Sequence, residues 1–539
     1  MRSHHVDIMG LLESKLSLDK LASVMKHKFK GRLVIDNFHL HQAGRIFILW
    51  DPAKVQVELV DMTPQVIHCK ASCKVTSITF HISFVYAFHS VVGRRPLWFN
   101  LMDFGARNTG PWLVLGDFNC VLKAEEKCNG LPVSEYEIKD LNECCLDLGL
   151  SDLPSSGCSF TWSNNSVMSK LDRAMANNRW VLDGLFGHAE FLPSGPLSDH
   201  SPCIVSILSP PQPRRISFKF FNMWASHVDF ISLVEAEWQY DFEGTKQFVL
   251  CKKMQKLKIP LRAFNAKHFS HISSRVLRAE EELVQAQVSV QSIPFCSDLH
   301  HKVSELRKHV LYLKEAERMF FLQKAKCAHL KSSDKGTKYF YLMAKRNAKR
   351  NFIASVVRED GSITSSHGQV IQEFLAYYQN LLGTCYITEP IDLSILSSGP
   401  LVSRELAAGL VKVVSPQEIK DALWSIGDEK APGPDGFSAC FFKKAWCVVG
   451  YQVCQAVSEF FLTGKLLKQL NHSAIVLIPK LSNATSVGDY RPIACCNVIY
   501  KIIAKILASR LELLLGSIID HAQAAFIKGR NLGENVQLA

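Results

Sequence analysis

Two short polar segments that lie far apart in the chain carry the side chains best suited to chemistry. The first, GDFN, contains Asp117 and Asn119, and the second, SDH, contains Asp199 and His200. Hydrolysis of a phosphodiester at neutral pH needs a divalent cation held by carboxylates, a group that activates water, and a donor that stabilises the phosphorane. Asp, Asn and His suit those roles. Either segment alone is equally compatible with a strand-end turn or a capped loop.

The elements around these segments predict how they are positioned. LVLGDFN reads as an apolar strand that ends at Gly116, and alternation would place the side chains of Asp117 and Asn119 on one side. Residues 1–208 consist of short apolar or alternating runs broken by Gly, Pro and Asn, which predicts a strand-rich α/β sandwich. The prolines of SPPQPRR, Ser209–Arg215, then predict a linker.

Longer helical patterns follow from residue 216 to 400. Val303, Leu306, Val310 and Leu313 fall on one stripe, and Pro294 separates two such stretches, so we expect an antiparallel helical hairpin. Further on, DKGTKYFYLMAKR interleaves basic residues with aromatic ones. That pattern suits phosphate neutralisation with base stacking, but a solvated helix face with inward-packed aromatics explains it equally well.

The pattern changes again after residue 401. A helix and the Gly/Pro-rich loop KAPGPDG lead to an apolar strand, HSAIVLIPK. The next segment is predicted to be a helix with one apolar face formed by Ile502, Ile503, Ile506 and Leu507.

Composition limits the classes of protein that the chain can belong to. With 539 residues, 47% hydrophobic and 21% charged, it is large enough for two or three domains. A formal charge of +12 favours an anionic partner, although an ordinary basic protein fits as well. The scattered 17 cysteines, the absence of a signal-peptide pattern and the lack of a membrane-length apolar run predict a nuclear or cytoplasmic protein with reduced thiols and no membrane partner.

Six segments, taken in order, carry a family resemblance: LLESKL, FVYAFH, GDFN, SFTWSNN, KLDRAMAN and SDH. Together they resemble the endonuclease/exonuclease/phosphatase superfamily, and within it the apurinic-endonuclease-like domain of LINE elements. The resemblance implies a four-layer α/β sandwich and a site that uses Mg²⁺ or Mn²⁺. Six matched segments in one order are much more specific than any single one.

The resemblance also implies a role for each matched residue. Asp117 would activate the water or protonate the leaving group, Asp172 would orient His200, and His200 would stabilise the transition state. The other implied roles are metal binding by Glu13 and Asp199, support of the phosphate site by Tyr86, a phosphate contact by Asn119, and substrate contacts by Thr161 and Ser198.

Two departures from the family pattern concern the metal site. The family normally opens with a core strand that carries a metal-site Asn before the Glu motif, and we expect this sequence to begin after that strand. His89 stands where the family commonly has Asn.

A second resemblance covers the carboxy-terminal part. KAPGPDGFSACFFKKAW, AIVLIPK, DYRPIACCNVIYKIIAKILASRL and QAAFIKGRNLGENV resemble the amino-terminal fingers motifs of LINE-type reverse transcriptases. By this resemblance Lys480, Arg491 and Arg530 would contact template or incoming triphosphate, whereas Lys480 and Arg491 could instead form a structural pair near a strand end. The palm carboxylate motifs are expected downstream of Ala539, so polymerase activity is not expected from these residues.

Together the two resemblances predict a plant LINE-type (non-LTR) retrotransposon ORF2-like protein, truncated at both ends. Its parts would be an endonuclease/exonuclease/phosphatase-like domain at 1–208, a linker and basic helical connector at 209–400, and a partial reverse-transcriptase fingers region at 401–539. The expected function is nicking of target DNA to leave a 3′-hydroxyl for priming, with DNA and the element's RNA as partners. The alternatives are an inactive remnant that at most binds nucleic acid and a phosphatase of the same superfamily.

Overall fold

The computed structural model describes residues 6–40, 45–164, 166–196, 198–208, 217–325, 355–362, 364, 367–385, 400–481 and 484–520, with single residues 353, 388, 390, 394, 523, 527, 529 and 530. The chain divides into two units. The first contains Met1–Pro213, Lys345–Thr384 and Ile478–Arg491, and the second contains Arg214–Ala344, Cys385–Leu477 and Pro492–Ala539. The predicted linker and the basic aromatic segment DKGTKYFYLMAKR lie outside the described residues. The three-part division at 208 and 400 stays a prediction.

The strands concentrate in the amino-terminal part. In chain order they are β1 (Ile8–Leu12), β2 (Leu33–Asp36), β3 (Ile46–Trp50), β4 (Val55–Met62), β5 (Val66–Cys73), β6 (Thr79–Tyr86), β7 (Trp112–Asp117), β8 (Lys127–Cys128), β9 (Ser151–Asp152), β10 (Ser155–Gly157), β11 (Trp162–Ser163), β12 (Met168–Ser169), β13 (Asp172–Ala176), β14 (Phe186–Phe191), β15 (Cys203–Leu208), β16 (Ser473–Pro479) and β17 (Tyr490–Cys496).

The helices span both units. In chain order they are α1 (Leu18–Lys28), α2 (Val91–Arg107), α3 (Glu135–Leu148), α4 (Asn178–Leu182), α5 (Phe230–Trp238), α6 (Lys246–His268), α7 (Ile272–Ser292), α8 (Ser297–Ala325), α9 (His367–Gly383), α10 (Arg404–Leu410), α11 (Pro416–Trp424), α12 (Ala439–Lys444), α13 (Trp446–Thr463), α14 (Lys468–Asn471) and α15 (Val498–Ile518). None of those in the described ranges is both long and apolar enough to cross a membrane.

The central sheet of the first unit has the strand order β4-β5-β6-β7-β13-β9. β6 and β7 run parallel, and the other neighbouring pairs are antiparallel. A parallel pair needs a crossover, and α2 provides it. Ser90 is the N-cap directly before this helix, and its hydroxyl oxygen accepts a hydrogen bond from the Gly93 N–H.

Four layers result from how the apolar residues are distributed. α2 and α3 bury Leu101, Phe104 and Leu141 against one face of the central sheet. The opposite face packs on the sheets β1-β3-β2 and β10-β14-β15, as shown by the common core of Ile48 and Phe191 with the central strands. α1 covers the outside of β1-β3-β2. The predicted four-layer α/β sandwich is therefore confirmed.

The second unit is helical around a large apolar core. α7 and α8 form the predicted hairpin, with Pro294 in the connection and Val310 and Leu313 buried. In α15, Ile502, Ile503 and Ile506 are buried as expected, but Leu507 is 41% exposed. Assigning Leu507 to the buried face was wrong, because at about 100° per residue it falls at the edge of the arc centred on Ile502 and Ile506.

Candidate active site

Three polar side chains lie in one row across the central sheet. Tyr86 at the end of β6 pairs in register with Asp117 at the end of β7, and Asp117 pairs with Asp172 at the start of β13. Directly paired residues on neighbouring strands project to the same face. Tyr86 belongs to the core between the two sheet layers. The two carboxylates therefore point toward the same space, at one end of the two-sheet core.

His200 completes this group from the loop before β15. Its Nδ1 lies 2.8 Å from Asp172 Oδ2. One ligand atom each from Asp117, Asp172 and His200 lie within 4.8 Å of one another. Residues from two strands and a distant loop are thus brought together, and Asp172 holds the imidazole in a fixed orientation.

Asn119 contacts Asp117 through a turn rather than by strand alternation. β7 ends at Asp117, and Asn119 has a positive φ of 45°. The Asn119 N–H donates to Asp117 Oδ1 (2.8 Å), while its side-chain amide donates to Asp117 Oδ2 (3.0 Å) and to the Ala87 carbonyl (2.8 Å). Because both amide hydrogens are used, Asn119 orients Asp117 in this arrangement. A phosphate contact would require one of these bonds to break.

Arg94 ties together the two loops that carry the site. This buried side chain in α2 donates to the carbonyl oxygens of His89 (2.8 Å) and Asn119 (2.7 Å). Guanidinium groups suit this task because their donors form a rigid fork. Arg94 therefore holds the loop after β6 next to the loop after β7.

Gly116 allows β7 to approach β6 closely, just before Asp117. Its φ is 135°, and a Cβ at this position would lie 2.0 Å from the Val85 carbonyl oxygen. A side chain here is excluded both by the backbone conformation and by space. The glycine of GDFN is thus required by the position of the carboxylate that follows it.

Glu13 lies close to Tyr86 and to Arg45, a cation that the sequence analysis did not identify as part of the site. Glu13 follows β1 with a φ of 49°, is exposed, and pairs with Lys15 at 3.0 Å. Burial raises the pKa of Tyr86 to about 12, and the charge of Glu13 adds to this effect. The guanidinium of Arg45 lies 4.2 Å from the centroid of the Tyr86 ring and donates to the Tyr86 carbonyl at 3.0 Å.

In the sequence, only its position directly before the apolar run IFILW distinguishes Arg45. It stands directly before β3, whose five residues are all buried, and it is itself only 8% exposed. Burial lowers its pKa, while Tyr86, Glu13 and Asp117 oppose that change. A buried cation needs such partners to remain charged.

Ser198, Asp199 and Thr161 brace the loops of the site. The Ser198 hydroxyl oxygen accepts from the His200 N–H at 3.0 Å, and exposed Asp199 accepts from the Trp162 indole N–H at 2.9 Å. Thr161 is 1% exposed, and its hydroxyl oxygen accepts from the N–H groups of Leu171 (3.0 Å) and Asp172 (2.8 Å). Thr161 thereby positions the start of β13. The substrate and metal roles of these residues stay predictions.

The electrostatics of the group differ between its acid and its base. The pKa of Asp117 is raised to about 7. Burial is the larger cause, and the negative charge of Asp172 is the second. Burial disfavours the charged form of His200, but its hydrogen bond to Asp172 and the carboxylate charges outweigh this and raise its pKa to about 9. Near neutral pH the imidazole is therefore charged, and Asp117 can both accept and release a proton.

The donor set fits a divalent cation. Two carboxylates face each other within 4.8 Å with an imidazole beside them, and their mutual repulsion is what a bound cation would relieve. Glu13 and Asp199 are not members of this closest group. When bound, such an ion would offset charge on phosphoryl oxygens and lower the pKa of a bound water.

Two of the three predicted fingers residues, Lys480 and Arg530, donate hydrogen bonds to nearby backbone carbonyls. Lys480 donates from Nζ to the Gly488 carbonyl at 2.7 Å. Arg530 donates to the carbonyls of Asp520 (2.6 Å) and Ile519 (2.9 Å), next to the end of α15. Arg491 is exposed. The structural pair of Lys480 and Arg491 and the template or triphosphate contacts of all three residues stay predictions.

Comparisons with known proteins agree with this architecture. Residues 1–200 match the model of the Endonuclease/Exonuclease/phosphatase family. Together with the four layers described above, this match shows that the amino-terminal part of the chain has the endonuclease/exonuclease/phosphatase fold.

The chain is also similar to a transposon protein. It is 25% identical over 488 residues to the Transposon TX1 uncharacterized 149 kDa protein of Xenopus laevis, with 82% of this chain and 36% of that protein covered. The chain thus spans about a third of the length of this relative.

The chain is also similar to several solved structures. The endonuclease domain of TRAS1, a telomere-specific non-LTR retrotransposon, is 13% identical with a TM-score of 0.30, covering 39% of this chain and 88% of that one. A 3′ phosphatase, NExo, from Neisseria, bound to a product DNA hairpin, is 20% identical with a TM-score of 0.29, covering 37% and 88%.

Proposed function

We propose that the amino-terminal domain is a metal-dependent phosphodiesterase that nicks DNA, in a protein of non-LTR retrotransposon origin. The convergence of Asp117, Asp172 and His200 at one end of the two-sheet core carries the proposal. Tyr86 and Asn119 border the same group. Two acids and a histidine on a rigid scaffold form the kind of site that phosphodiester hydrolysis needs.

Each residue has a task that its environment supports. The charged His200 donates a hydrogen bond to a phosphoryl oxygen, and Asp172 keeps its ring oriented. Asp117, with a pKa of about 7, takes a proton from the attacking water or gives one to the leaving oxygen. Asn119 holds the Asp117 carboxylate in place for that transfer.

Mg²⁺ or Mn²⁺ is the proposed cofactor. Carboxylate oxygens are the ligands that such hard ions prefer, and Asp172 offers one within this group, which leaves Asp117 to transfer the proton. Glu13 and Asp199 are proposed as further oxygen donors at the rim, since both are exposed and close enough to influence the charge of site residues.

DNA is the proposed substrate and the element's RNA a second partner. The formal charge of +12 favours a polyanion. Similarity to a transposon protein over 488 residues extends well beyond residues 1–200, which supports a shared origin for the helical part as well. For residues 401–539 we propose the opening fingers region of a reverse transcriptase, with no polymerase activity expected from these residues alone.

The test is nicking of supercoiled plasmid by the purified full chain with Mg²⁺. Asp117→Ala and His200→Ala should abolish nicking. Matched surface changes, Asp103→Ala and His27→Ala, should leave it intact, because exposed Asp103 pairs with nearby Arg107 and His27 is exposed in α1. Nicking that survives in both site variants would show that another protein is responsible.

Two other outcomes would favour the alternatives. DNA binding that weakens with salt, without nicking at any Mg²⁺ or Mn²⁺ concentration, would indicate an inactive remnant. Release of inorganic phosphate from small phosphomonoesters, with no cleavage of plasmid, would indicate a phosphatase of the same superfamily.

A further inference from the structure

A second group of side chains that could ligate a metal lies within the helical unit and shares no residue with the proposed nuclease site. It consists of His227, Asp229 and His268, and one ligand atom from each lies within 4.8 Å of the others. His227 directly follows the short helical turn Asn222–Ser226, Asp229 precedes α5, and His268 is the last residue of α6. Two segments that are far apart in the sequence thus meet at this point.

His227 and Asp229 already contact each other just before α5. His227 Nδ1 accepts a hydrogen bond from the Asp229 N–H at 3.2 Å, and a cation bound at Nδ1 would take the place of this hydrogen bond. The same nitrogen is 3.7 Å from Asp229 Oδ2. Ligand atoms at this separation can share one cation placed about 2 Å from each.

The second imidazole argues against a simple ion pair. The rings of His227 and His268 have centroids 4.2 Å apart. An ion pair between His227 and Asp229 would involve only two of the three side chains and would give His268 no part in it. One cation shared by the two imidazoles and the carboxylate accounts for the position of all three.

Aromatic side chains hold both rings in place. Phe264 contacts His227 edge-on (centroids 5.1 Å) and also packs on His268 (4.8 Å), and Phe269 and Tyr312 complete the apolar surroundings of His227. The His227 side chain is 16% exposed, whereas that of Asp229 is 64% exposed. The group therefore has an apolar floor and a polar, solvent-accessible opening through which an ion can enter.

We propose that His227, Asp229 and His268 bind one divalent transition-metal ion, with Zn²⁺ as the preferred ion and water in the remaining position. Two imidazoles and one carboxylate are a donor set that Zn²⁺ binds tetrahedrally, whereas Mg²⁺ prefers oxygen ligands throughout. The ion would join the start of α5 to the end of α6. Binding to the folded state alone stabilises it, so Zn²⁺ would raise the stability of the helical unit.

The first test uses Co²⁺ as a spectroscopic substitute for Zn²⁺ on the full chain. One equivalent of Co²⁺ should give the visible absorption of a tetrahedral site with nitrogen and oxygen ligands, without the near-ultraviolet charge-transfer band that cysteine ligands add. Asp229→Asn and His268→Gln should each remove this absorption. Asp117→Asn, which alters the proposed nuclease site, should leave it unchanged.

A matched histidine and a second readout keep the test decisive. His271→Gln changes an exposed histidine three residues beyond His268 and should retain the Co²⁺ absorption. Zn²⁺ in hundredfold excess over its Kd should raise the thermal midpoint of the wild type but not of Asp229→Asn, which keeps the size of an exposed side chain. Retention of the absorption and of the Zn²⁺-induced shift in both Asp229→Asn and His268→Gln would overturn the proposal.

Discussion

Replacing Asp172 by Asn tests how Asp172 sets the charge of His200 in the proposed nuclease site. Asp172 Oδ2 lies 2.8 Å from His200 Nδ1, and the pKa of His200 is raised from 6.5 to about 9. That difference corresponds to about 3 kcal/mol in favour of the imidazolium. The stabilisation is complete below pH 6.5 and is lost as pH rises through about 9, because it belongs to the protonated form. In Asp172→Asn we expect the pKa of His200 to fall to about 6.5 or lower, since burial then acts without its main opponent.

The nicking rate should show the same change. With a pKa of about 6.5, only about 3% of His200 is charged at pH 8, so Asp172→Asn should lose about 30-fold in rate there from this cause. At pH 5.5 the same cause predicts less than a twofold loss, on the order of the measurement error. The rate ratio of wild type to variant, followed from pH 5.5 to 8, gives the comparison.

The pKa itself can be followed by NMR of the full chain with ¹³C-labelled histidine, and His200→Gln identifies the resonance. Asp199→Asn is the matched control, because Asp199 has the smallest influence among the carboxylates that act on His200. A His200 pKa that stays near 9 in Asp172→Asn, or that falls equally in Asp199→Asn, would refute the reasoning.

Three further predictions concern stability, measured as urea unfolding of the full chain. Gly116→Ala should lower the free energy of unfolding by about 3 kcal/mol or more, because the new Cβ would overlap a backbone carbonyl. Gly184→Ala, at a φ of 79° with open space around it, should lower it by only about 1 kcal/mol. Equal losses would contradict this prediction. Arg173→Met should cost about 3 kcal/mol, because it removes the buried cation that pairs with the partly buried carboxylates of Glu126 and Asp152, although Asp152 keeps its pairing with Lys170. Exposed Arg95→Met should leave the midpoint unchanged, and a neutral Arg173→Met would show that the ion pairs are dispensable. Burial lowers the pKa of His188 to about 4, so this residue should lower the free energy of unfolding by up to about 3 kcal/mol as pH drops from 6.5 to 4. His188→Gln should make stability depend less on pH in this range. An unchanged pH dependence would exclude His188 as its source.

The sandwich fold could be predicted because alternating apolar runs and their breaks are local features of the sequence. Contact between Asp117 and Asp172 depends on the pairing of β7 with β13, and neither strand specifies that register by itself. Only the family resemblance supplied it. Strand alternation was the wrong reason to place Asn119 beside Asp117, because the strand ends first and a left-handed residue makes the turn.

Other features depend on tertiary packing that no local pattern records. Arg45 looks like an ordinary charged residue before a strand, and only the folded chain places its guanidinium against Tyr86. Thr161 was predicted to contact substrate, yet the hydrogen bonds of its hydroxyl oxygen to two backbone N–H groups become visible only in three dimensions. His227 and His268 form no recognisable metal motif, because the helix α6 and the segment before it separate them in the sequence.

Because Gly116 lies so close to the Val85 carbonyl, substitutions at Gly116 and at the adjacent Asp117 would be selected against for different reasons. Changing Asp117 removes a reactive group but leaves room for the backbone, whereas changing Gly116 disturbs the backbone itself. Among diverged copies of this sequence, loss of Asp117 with Gly116 retained would mark lineages in which folding stayed under selection after the proposed nicking activity was lost. Loss of Gly116 would mark those in which folding was no longer under selection.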